Sequence, residues 1–291
     1  MPPALWGAVT AFGWGCGDFL SHFTGGRLGV MSTLGGMMAS GFVLLASYAL
    51  LIDMPLALPQ ASDGAWTALV GAAVGIVAGT LLLFCGMVRG PISVVAPIVA
   101  AYPIWILAAA AVEGLELAAH HWGAAAAVLL GVVVVARLGG LAAPAGEAAP
   151  GGFLATLGIA LLGSLCFASG IGSMQAAGPA FGELRVLLAV RLFGVATVAF
   201  ALLAVPRLRR PIPWRWWPLL GLQGLLDGAA DLALLIGSRD LEAAPTVVVA
   251  ASTFGIVPVL LACIVLRERI APAQWLAVSA IVAGVAVLSV S

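Results

Sequence analysis

The sequence predicts an all-α membrane protein in which ten transmembrane helices form two inverted five-helix repeats around a central cavity. Ten apolar stretches of about 20 residues run along the 291-residue chain, and each is long enough to cross a bilayer as a helix. Only 8% of the residues are charged and 63% are hydrophobic, whereas a soluble domain carries about 25% charged residues. The stretches form two groups of five. Because five is odd, two tandem copies must lie in the membrane in opposite orientations.

The apolar stretches are predicted as helices because lipid requires an unbroken ladder of backbone hydrogen bonds. Their approximate limits are residues 3–23, 29–52, 64–88, 91–112, 118–137, 152–176, 182–205, 215–238, 243–266 and 272–290. Gly and Pro separate them, for example Gly25-Gly26 after the first span and Gly178-Pro179 after the sixth. The Ala-, Gly- and Pro-rich segment 139–151 is typical of a linker. It separates a first repeat, residues 1–138, from a second repeat, residues 152–291.

Corresponding landmarks in the two groups predict an internal duplication. Proline opens the fourth and ninth spans and recurs inside each, and a Trp precedes a Gly by nine residues in the fifth and tenth. The third and eighth spans begin near a Trp and reach a Gly 20 residues later. The matched residues are Pro91 with Pro245, Pro103 with Pro258, Trp122 with Trp275, Gly131 with Gly284, Trp66 with Trp217 and Gly86 with Gly237. Their common order indicates two copies of one unit. Inverted repeats are typical of secondary transporters, whose sites lie between the halves near mid-membrane.

Two short motifs add a family resemblance. The first span carries Trp14-Gly15-Cys16-Gly17-Asp18-Phe19, and the ninth ends with Leu266-Arg267-Glu268-Arg269, followed by Gln274-Trp275. Together with ten spans in two halves, these motifs resemble the EamA-type family of the drug/metabolite transporter superfamily over nearly the whole chain. The first half departs from the second motif, since Gly114 follows Glu113 and His120-His121-Trp122 replaces Gln-Trp. The resemblance implies a ten-helix bundle with a central cavity that moves small metabolites, such as amino acids, nucleotide-type metabolites or drugs, often outward.

Span eight places polar side chains inside an apolar helix. Asp227 and Asp231 are four residues apart and share one face with Gln223, one turn earlier. A charge at the bilayer centre costs about 2.5–3.5 kcal/mol on insertion scales, so such a residue faces a cavity or a partner. Two carboxylates one turn apart in a low dielectric favour retention of a proton on one of them, as a proton-coupled carrier requires. A static pair neutralised by an Arg is the structural alternative.

Arg191 lies in span seven at a depth that matches Asp231 in the antiparallel span eight. We therefore predict an Arg191–Asp231 salt bridge that leaves Asp227 freer to take up a proton. Extension of the Arg191 side chain to the membrane interface is the alternative.

Two further sets of candidates lie in spans one and six. Asp18 and His22 are four residues apart on one face of span one, and Trp14 precedes Asp18 by one turn. Asp18 is the deeper of the two ionisable groups, whereas His22 is close enough to the span end for an interfacial hydrogen bond. Trp14 could supply an apolar or cation–π wall, or it could simply pack. Gln175 in span six is a candidate for lining the cavity.

Other functions remain as alternatives at this level. Gly15-Cys16-Gly17-Asp18 matches a GxGD string and Pro3-Ala4-Leu5 a PAL string of intramembrane aspartyl proteases, but their order is reversed and no Tyr-Asp partner exists. A passive channel or a lipid scramblase is a further alternative that the sequence leaves open. No enzyme activity, cofactor, metal or nucleic-acid surface is predicted. The expected partners are a small-molecule substrate, protons and the lipid bilayer, in a monomer or a homodimer.

The distribution of arginine predicts an orientation in the inner cell membrane. Nine of the 12 arginines lie in the loops that follow odd-numbered spans, two lie in the loops that follow even-numbered spans, and one is Arg191. The positive-inside rule places the richer side in the cytoplasm, which puts both termini outside. The family resemblance implies the opposite, both termini inside.

Overall fold

The computed structural model describes residues 2–112, 119–142, 152–240, 247, 250–268 and 270–288. No strand occurs in this described part of the chain. The helices are α1 (Pro3–Leu28), α2 (Val30–Leu51), α3 (Asp63–Arg89), α4 (Ile92–Ala100), α5 (Pro103–Val112), α6 (Ala119–Ala142), α7 (Gly152–Phe181), α8 (Glu183–Ala204), α9 (Trp217–Gly237), α10 (Ile256–Leu261) and α11 (Pro272–Leu288). Most of the linker, the Glu113-Gly114 pair and Pro245 lie outside the described residues.

Helices α1 and α7 extend further than the sequence suggested. The predicted breaks at Gly25-Gly26 and Gly178-Pro179 are wrong, because both helices continue through them. The chain turns instead at Gly29 and Gly182, whose φ angles are 85° and 81°. An L-residue with a Cβ rarely adopts such angles, so glycine is needed there. Each of these glycines is the whole connection between two helices, and the two stand 153 positions apart in the sequence.

The fourth and ninth spans are the irregular ones, as their prolines suggest. The fourth is interrupted at Ala101-Tyr102, between α4 and α5, and Pro103 opens α5. The ninth passes through a 3₁₀ turn at Ser252–Gly255, then α10, then a π-helical turn at Ala262–Leu266. Interrupted helices free backbone groups, which is tolerated at membrane depth only inside protein or beside a cavity. The interruptions therefore indicate where a cavity lies between the repeats.

Within the described residues, five helices are long and apolar enough to cross a membrane by length and composition. They are Val30–Leu51, Asp63–Arg89, Gly152–Phe181, Glu183–Ala204 and Trp214–Gly237, and shorter apolar helices accompany them. Large apolar side chains are exposed around the bundle, including Phe12, Leu154 and Phe200, which are 61%, 78% and 74% exposed. Exposed apolar surface of this extent suits lipid rather than water. For the part of the chain that the structure describes, the all-helical prediction is confirmed, and the count of ten membrane crossings is supported for these five.

The packing of the helices follows the symmetry of a duplication. The most extensive contacts are those of α3 with α7, α6 with α11 and α1 with α9, followed by those of α2 with both α8 and α9. Exchange of the two halves converts the α3–α7 pair into the α9–α1 pair and the α2–α9 pair into the α8–α3 pair, which are also in contact, and it returns the α6–α11 and α2–α8 pairs to themselves. The first and third helices of each half therefore pack against the other half. This places the centre of the molecule between α1, α3, α7 and α9.

Glycines allow these helices to approach closely. A Cβ added at Gly75 of α3 would lie 2.5 Å from the Gly170 Cα of α7, so the two backbones touch there. Gly131 of α6 faces the backbone of α11, and its predicted counterpart Gly284 of α11 faces the backbone of α6. This reciprocal contact pairs two landmarks that the sequence pattern matches. Small residues at helix contacts are what membrane helices require, because lipid gives no hydrophobic drive for their association.

Candidate functional site

A cavity lies at the centre of the bundle, near the midpoints of the helices that form it. The space between its walls, its open mouth included, is about 450 Å³. Ten of the described side chains line it: Trp14, Asp18, Ile76, Thr80, Tyr102, Phe167, Ile171, Asp227, Asp231 and Phe254. Tyr102 and Phe254 come from the interrupted parts of the fourth and ninth spans, and their ring centroids are 6.4 Å apart. The helix interruptions therefore border the cavity, as expected from the need to satisfy freed backbone groups.

The lining consists of pairs of equivalent positions in the two repeats. The offset of 153 between Gly29 and Gly182 also relates Trp14 to Phe167 and Asp18 to Ile171. The offset of 151 between Trp66 and Trp217 relates two further pairs of lining residues, Ile76 with Asp227 and Thr80 with Asp231.

The duplicated backbone thus gives a symmetric frame, but the side chains are not symmetric. The carboxylates among the described lining residues lie on α1 and α9, where Asp18, Asp227 and Asp231 form with Trp14 what we call the acidic wall. The equivalent residues on α3 and α7 are uncharged: Ile76, Thr80, Phe167 and Ile171 form the neutral wall.

Arg191 of α8 joins the two carboxylates of α9. It is fully buried, and its Nη2 donates to Asp231 Oδ2 over 2.6 Å. The predicted Arg191–Asp231 salt bridge is therefore present. Arg191 Nη1 also forms an ion pair with Asp227 Oδ2. The predicted pairing is therefore incomplete, because the two acids are one helical turn apart and a planar guanidinium presents two nitrogens on one edge. That Asp227 is the freer of the two acids to take up a proton stays a prediction.

Other groups complete the surroundings of this cluster. Trp14 Nε1 donates to Asp231 Oδ1 over 2.8 Å, so both Asp231 oxygens are engaged. Arg191 Nη1 lies 3.3 Å from the Met38 sulfur, a weak acceptor. Arg191 Nε has no hydrogen-bond partner within the described residues. The three charged groups are thus held by contacts from α1, α2, α8 and α9, which fixes the depth and rotation of α9.

Gln223 does not reach the cavity. It is fully buried between α9 and α1, where its Nε2 donates to the Gly17 carbonyl over 3.2 Å and its Oε1 accepts from Thr24 Oγ1 over 3.3 Å. The expectation that Gln223 lines the cavity beside Asp227 is wrong. The side chain serves instead to join α1 to α9, because a buried amide must find hydrogen-bond partners.

Asp18 does line the cavity, on α1 one turn from Trp14. The residue is only 9% exposed. Among the described residues its carboxylate has no hydrogen-bond or ion-pair partner, while its backbone carbonyl accepts from Ser21 Oγ over 2.6 Å. The like-charged Asp227 and Asp231 line the same cavity.

His22 and Gln175 lie elsewhere. The His22 Nδ1 is 2.8 Å from the Met87 carbonyl at the end of α3. A carbonyl only accepts, so Nδ1 carries the proton and the ring ties α1 to α3. This is the hydrogen bond near the span end that the sequence allowed for. Gln175 is half-buried on α7, outside the residues that line the cavity.

The sequence reasoning missed the uncharged half of the lining. Thr80 is a polar residue near the middle of α3, and Tyr102 precedes a helix-breaking proline, so both carried a signal. Phe167, Ile171 and Phe254 carried none, because apolar side chains in an apolar span look the same whether they face lipid or a cavity. Among the described residues no group of three or more His, Cys, Asp or Glu side chains is placed to hold a metal ion.

Comparisons with known proteins address the whole chain. A family model described as the EamA-like transporter family matches residues 1–137 and 145–290. No curated protein sequence matches. One solved crystal structure, described only as that of a protein, is similar at a TM-score of 0.65 and 17% sequence identity, over 98% of this chain and 95% of that chain. At this identity the likeness concerns the fold alone.

Proposed function

The chain belongs to the EamA-like transporter family, and on that premise we propose that it exports a small polar or amphipathic metabolite across the inner cell membrane in exchange for protons. Family membership makes the protein a membrane transporter of the drug/metabolite superfamily. The observation that carries the finer proposal is the Arg191–Asp227–Asp231 cluster beside the central cavity. Ionisable side chains at mid-depth between two repeats mark substrate and proton pathways in membrane proteins.

Asp227 is the proposed site of proton exchange. Its side chain is 20% exposed, against 5% for Asp231 and 0% for Arg191. Asp231 also holds two donors, Trp14 and Arg191. A proton from the cavity therefore reaches Asp227 more easily, and it displaces fewer hydrogen bonds there.

The charge of the cluster links proton uptake to closure of the cavity. Arg191 offers one positive charge to two carboxylates, so the cluster carries one net negative charge when both acids are ionised. A proton on Asp227 makes the cluster neutral. An uncompensated charge is costly to enclose in an apolar bundle, whereas a neutral cluster is less so. Loading with a proton would thus lower the cost of closing the cavity and reopening it on the other side, and in an exchanger a substrate that compensates the same charge would act likewise.

We propose the orientation given by the arginine count, with both termini outside and the linker in the cytoplasm. In that orientation the C-terminal ends of α1 and α3 face the cytoplasm.

Transport by Asp227→Asn protein in liposomes tests the coupling. Asp63→Asn is the matched control, since Asp63 is an exposed carboxylate at the start of α3. We expect Asp227→Asn to abolish flux driven by a pH gradient and to retain the folded bundle by size exclusion, while Asp63→Asn transports normally. Unchanged proton-driven flux in Asp227→Asn would refute the role of this residue.

Counterflow separates a carrier from a channel or a scramblase. Unlabelled substrate inside the liposomes should accelerate uptake of labelled substrate, because the carrier returns to the outside with unlabelled substrate bound. A flux that depends only on the concentration gradient of the labelled compound would favour a passive pore.

A further inference from the structure

We propose that the central cavity takes an amphipathic organic cation, an ammonium group attached to an apolar body, and that Asp18 supplies its counter-charge. This inference rests on the proposed function, because it names the substrate class of the same site. It is carried by the charge, the aromatic content and the two-sided lining of the cavity.

The charge of the cavity is negative. Three carboxylates line it, and none of its described lining residues is basic. The nearby Arg191 is fully buried behind the wall and is already engaged by Asp227 and Asp231. The net charge therefore stays negative even when one of the three acids carries a proton. An anionic substrate would be repelled from this space, while a cation would be attracted.

Asp18 is the carboxylate that lacks a partner. It is nine-tenths buried and borders the cavity, yet no described residue donates to its side chain. Buried carboxylates are normally paired, because loss of hydration is costly. The nearest described cation, Arg191, is already paired with Asp227 and Asp231, so it does not compensate the charge of Asp18. A bound cation would provide the missing opposite charge.

Aromatic rings surround the same space. Trp14, Tyr102, Phe167 and Phe254 all line the cavity. Trp14 and Phe254 meet edge to face, with ring centroids 5.5 Å apart. Faces of aromatic rings attract cations, and quaternary ammonium groups in particular are recognised by such sets of rings.

The two walls differ in a way that suits an amphipathic molecule. The acidic wall on α1 and α9 faces the cationic group, and the neutral wall on α3 and α7 offers Ile76, Ile171 and Phe167 to an apolar body. Thr80 adds little polarity, because its hydroxyl donates to the Ile76 carbonyl over 2.8 Å. A cation that occupies this site and a proton on Asp227 compensate the same excess of negative charge. Their binding is therefore expected to be competitive, which is the requirement for exchange.

Equilibrium binding to the purified full chain in nanodiscs, without any gradient, tests the substrate class. The probe is radiolabelled benzyltrimethylammonium, and the competitors are benzyl alcohol and phenylacetate, which keep the benzyl body and carry a neutral or an anionic group. We expect saturable binding that is at least about tenfold weaker for both competitors. We also expect Asp18→Asn to weaken probe binding by at least about tenfold, with Asp63→Asn unchanged.

The outcomes separate this inference from the proposed function. Equal affinity for benzyl alcohol or phenylacetate, or full binding by a folded Asp18→Asn protein, would overturn the cation inference. The comparison of the three compounds uses the unaltered protein, so it tests the cation inference even if Asp18→Asn fails to fold. Tight probe binding without proton-driven flux or counterflow would instead overturn the proposed transport and leave the cation site standing. Counterflow of an uncharged metabolite, together with no binding of the probe, would overturn the cation inference and leave the proposed transport standing.

Discussion

Replacement of Arg191 by Met tests the idea that one buried guanidinium holds two carboxylates together. Met has a similar length but no charge, so Asp227 and Asp231 would be left unpaired one turn apart inside the bundle. Removal of one partner from a buried ion pair costs about 3–5 kcal/mol. For a chain of this size about 2–4 °C of melting temperature is lost per kcal/mol, which predicts a fall of roughly 6–20 °C.

The protein itself supplies reporter groups for the melting measurement and a control ion pair. Its four cysteines are half-buried, so a thiol-reactive dye reports unfolding in detergent. Arg239, just after the end of α9, forms an ion pair with Glu183 at the start of α8, but the Arg239 side chain is 60% exposed. Exposed pairs contribute less than about 1 kcal/mol, so Arg239→Met should lower the melting temperature far less than Arg191→Met does.

A compensated variant shows whether charge is the cause. Arg191→Met combined with Asp227→Asn and Asp231→Asn removes all three charges, and it should regain most of the lost stability, because a neutral cluster has no unpaired ion. If Arg191→Met melts no lower than Arg239→Met, or if the triple variant melts as low as the single one, the cluster does not stabilise the bundle through its charges.

Three further predictions concern packing, pH and orientation. Gly75→Ala should destabilise the protein by about 1–3 kcal/mol in the same melting assay, because the new Cβ meets backbone of α7, whereas Gly221→Ala has open space and should not. Burial raises the pKa of the Glu268 carboxyl from its ordinary value of 4.5 more than the Ser93 hydroxyl lowers it. The stabilising contribution of this group is complete below pH 4.5 and is lost as the pH rises through the raised pKa, so Glu268→Gln should melt progressively higher than the unaltered protein over that range; identical pH profiles would contradict this. A C-terminal alkaline phosphatase fused after Ser291 should be active and a fluorescent protein there dark; the opposite result would mean that the termini are cytoplasmic.

The sequence by itself determined the helices and the depth of the charged residues. Apolar runs of bilayer length leave no alternative to helices, because lipid cannot satisfy free backbone groups. Position along a helix gives depth directly, at about 1.5 Å per residue, and for this reason the sequence alone pairs Arg191 with Asp231. The duplication is also visible in the sequence, since landmarks such as Gly131 and Gly284 keep their order.

Only the tertiary structure decided which way each side chain faces and which residues meet. Gln223 shares a helical face with Asp227 in sequence terms, yet the close contact of α9 with α1 turns it toward Gly17. The rotation of a helix is set by its contacts with its neighbours, and in this bundle those contacts are glycines and small residues from distant parts of the chain. Tyr102 and Phe254 face the cavity because two helices are interrupted there. Hydropathy alone cannot separate a lipid-facing phenylalanine from one that lines a cavity, because both lie in the same apolar pattern.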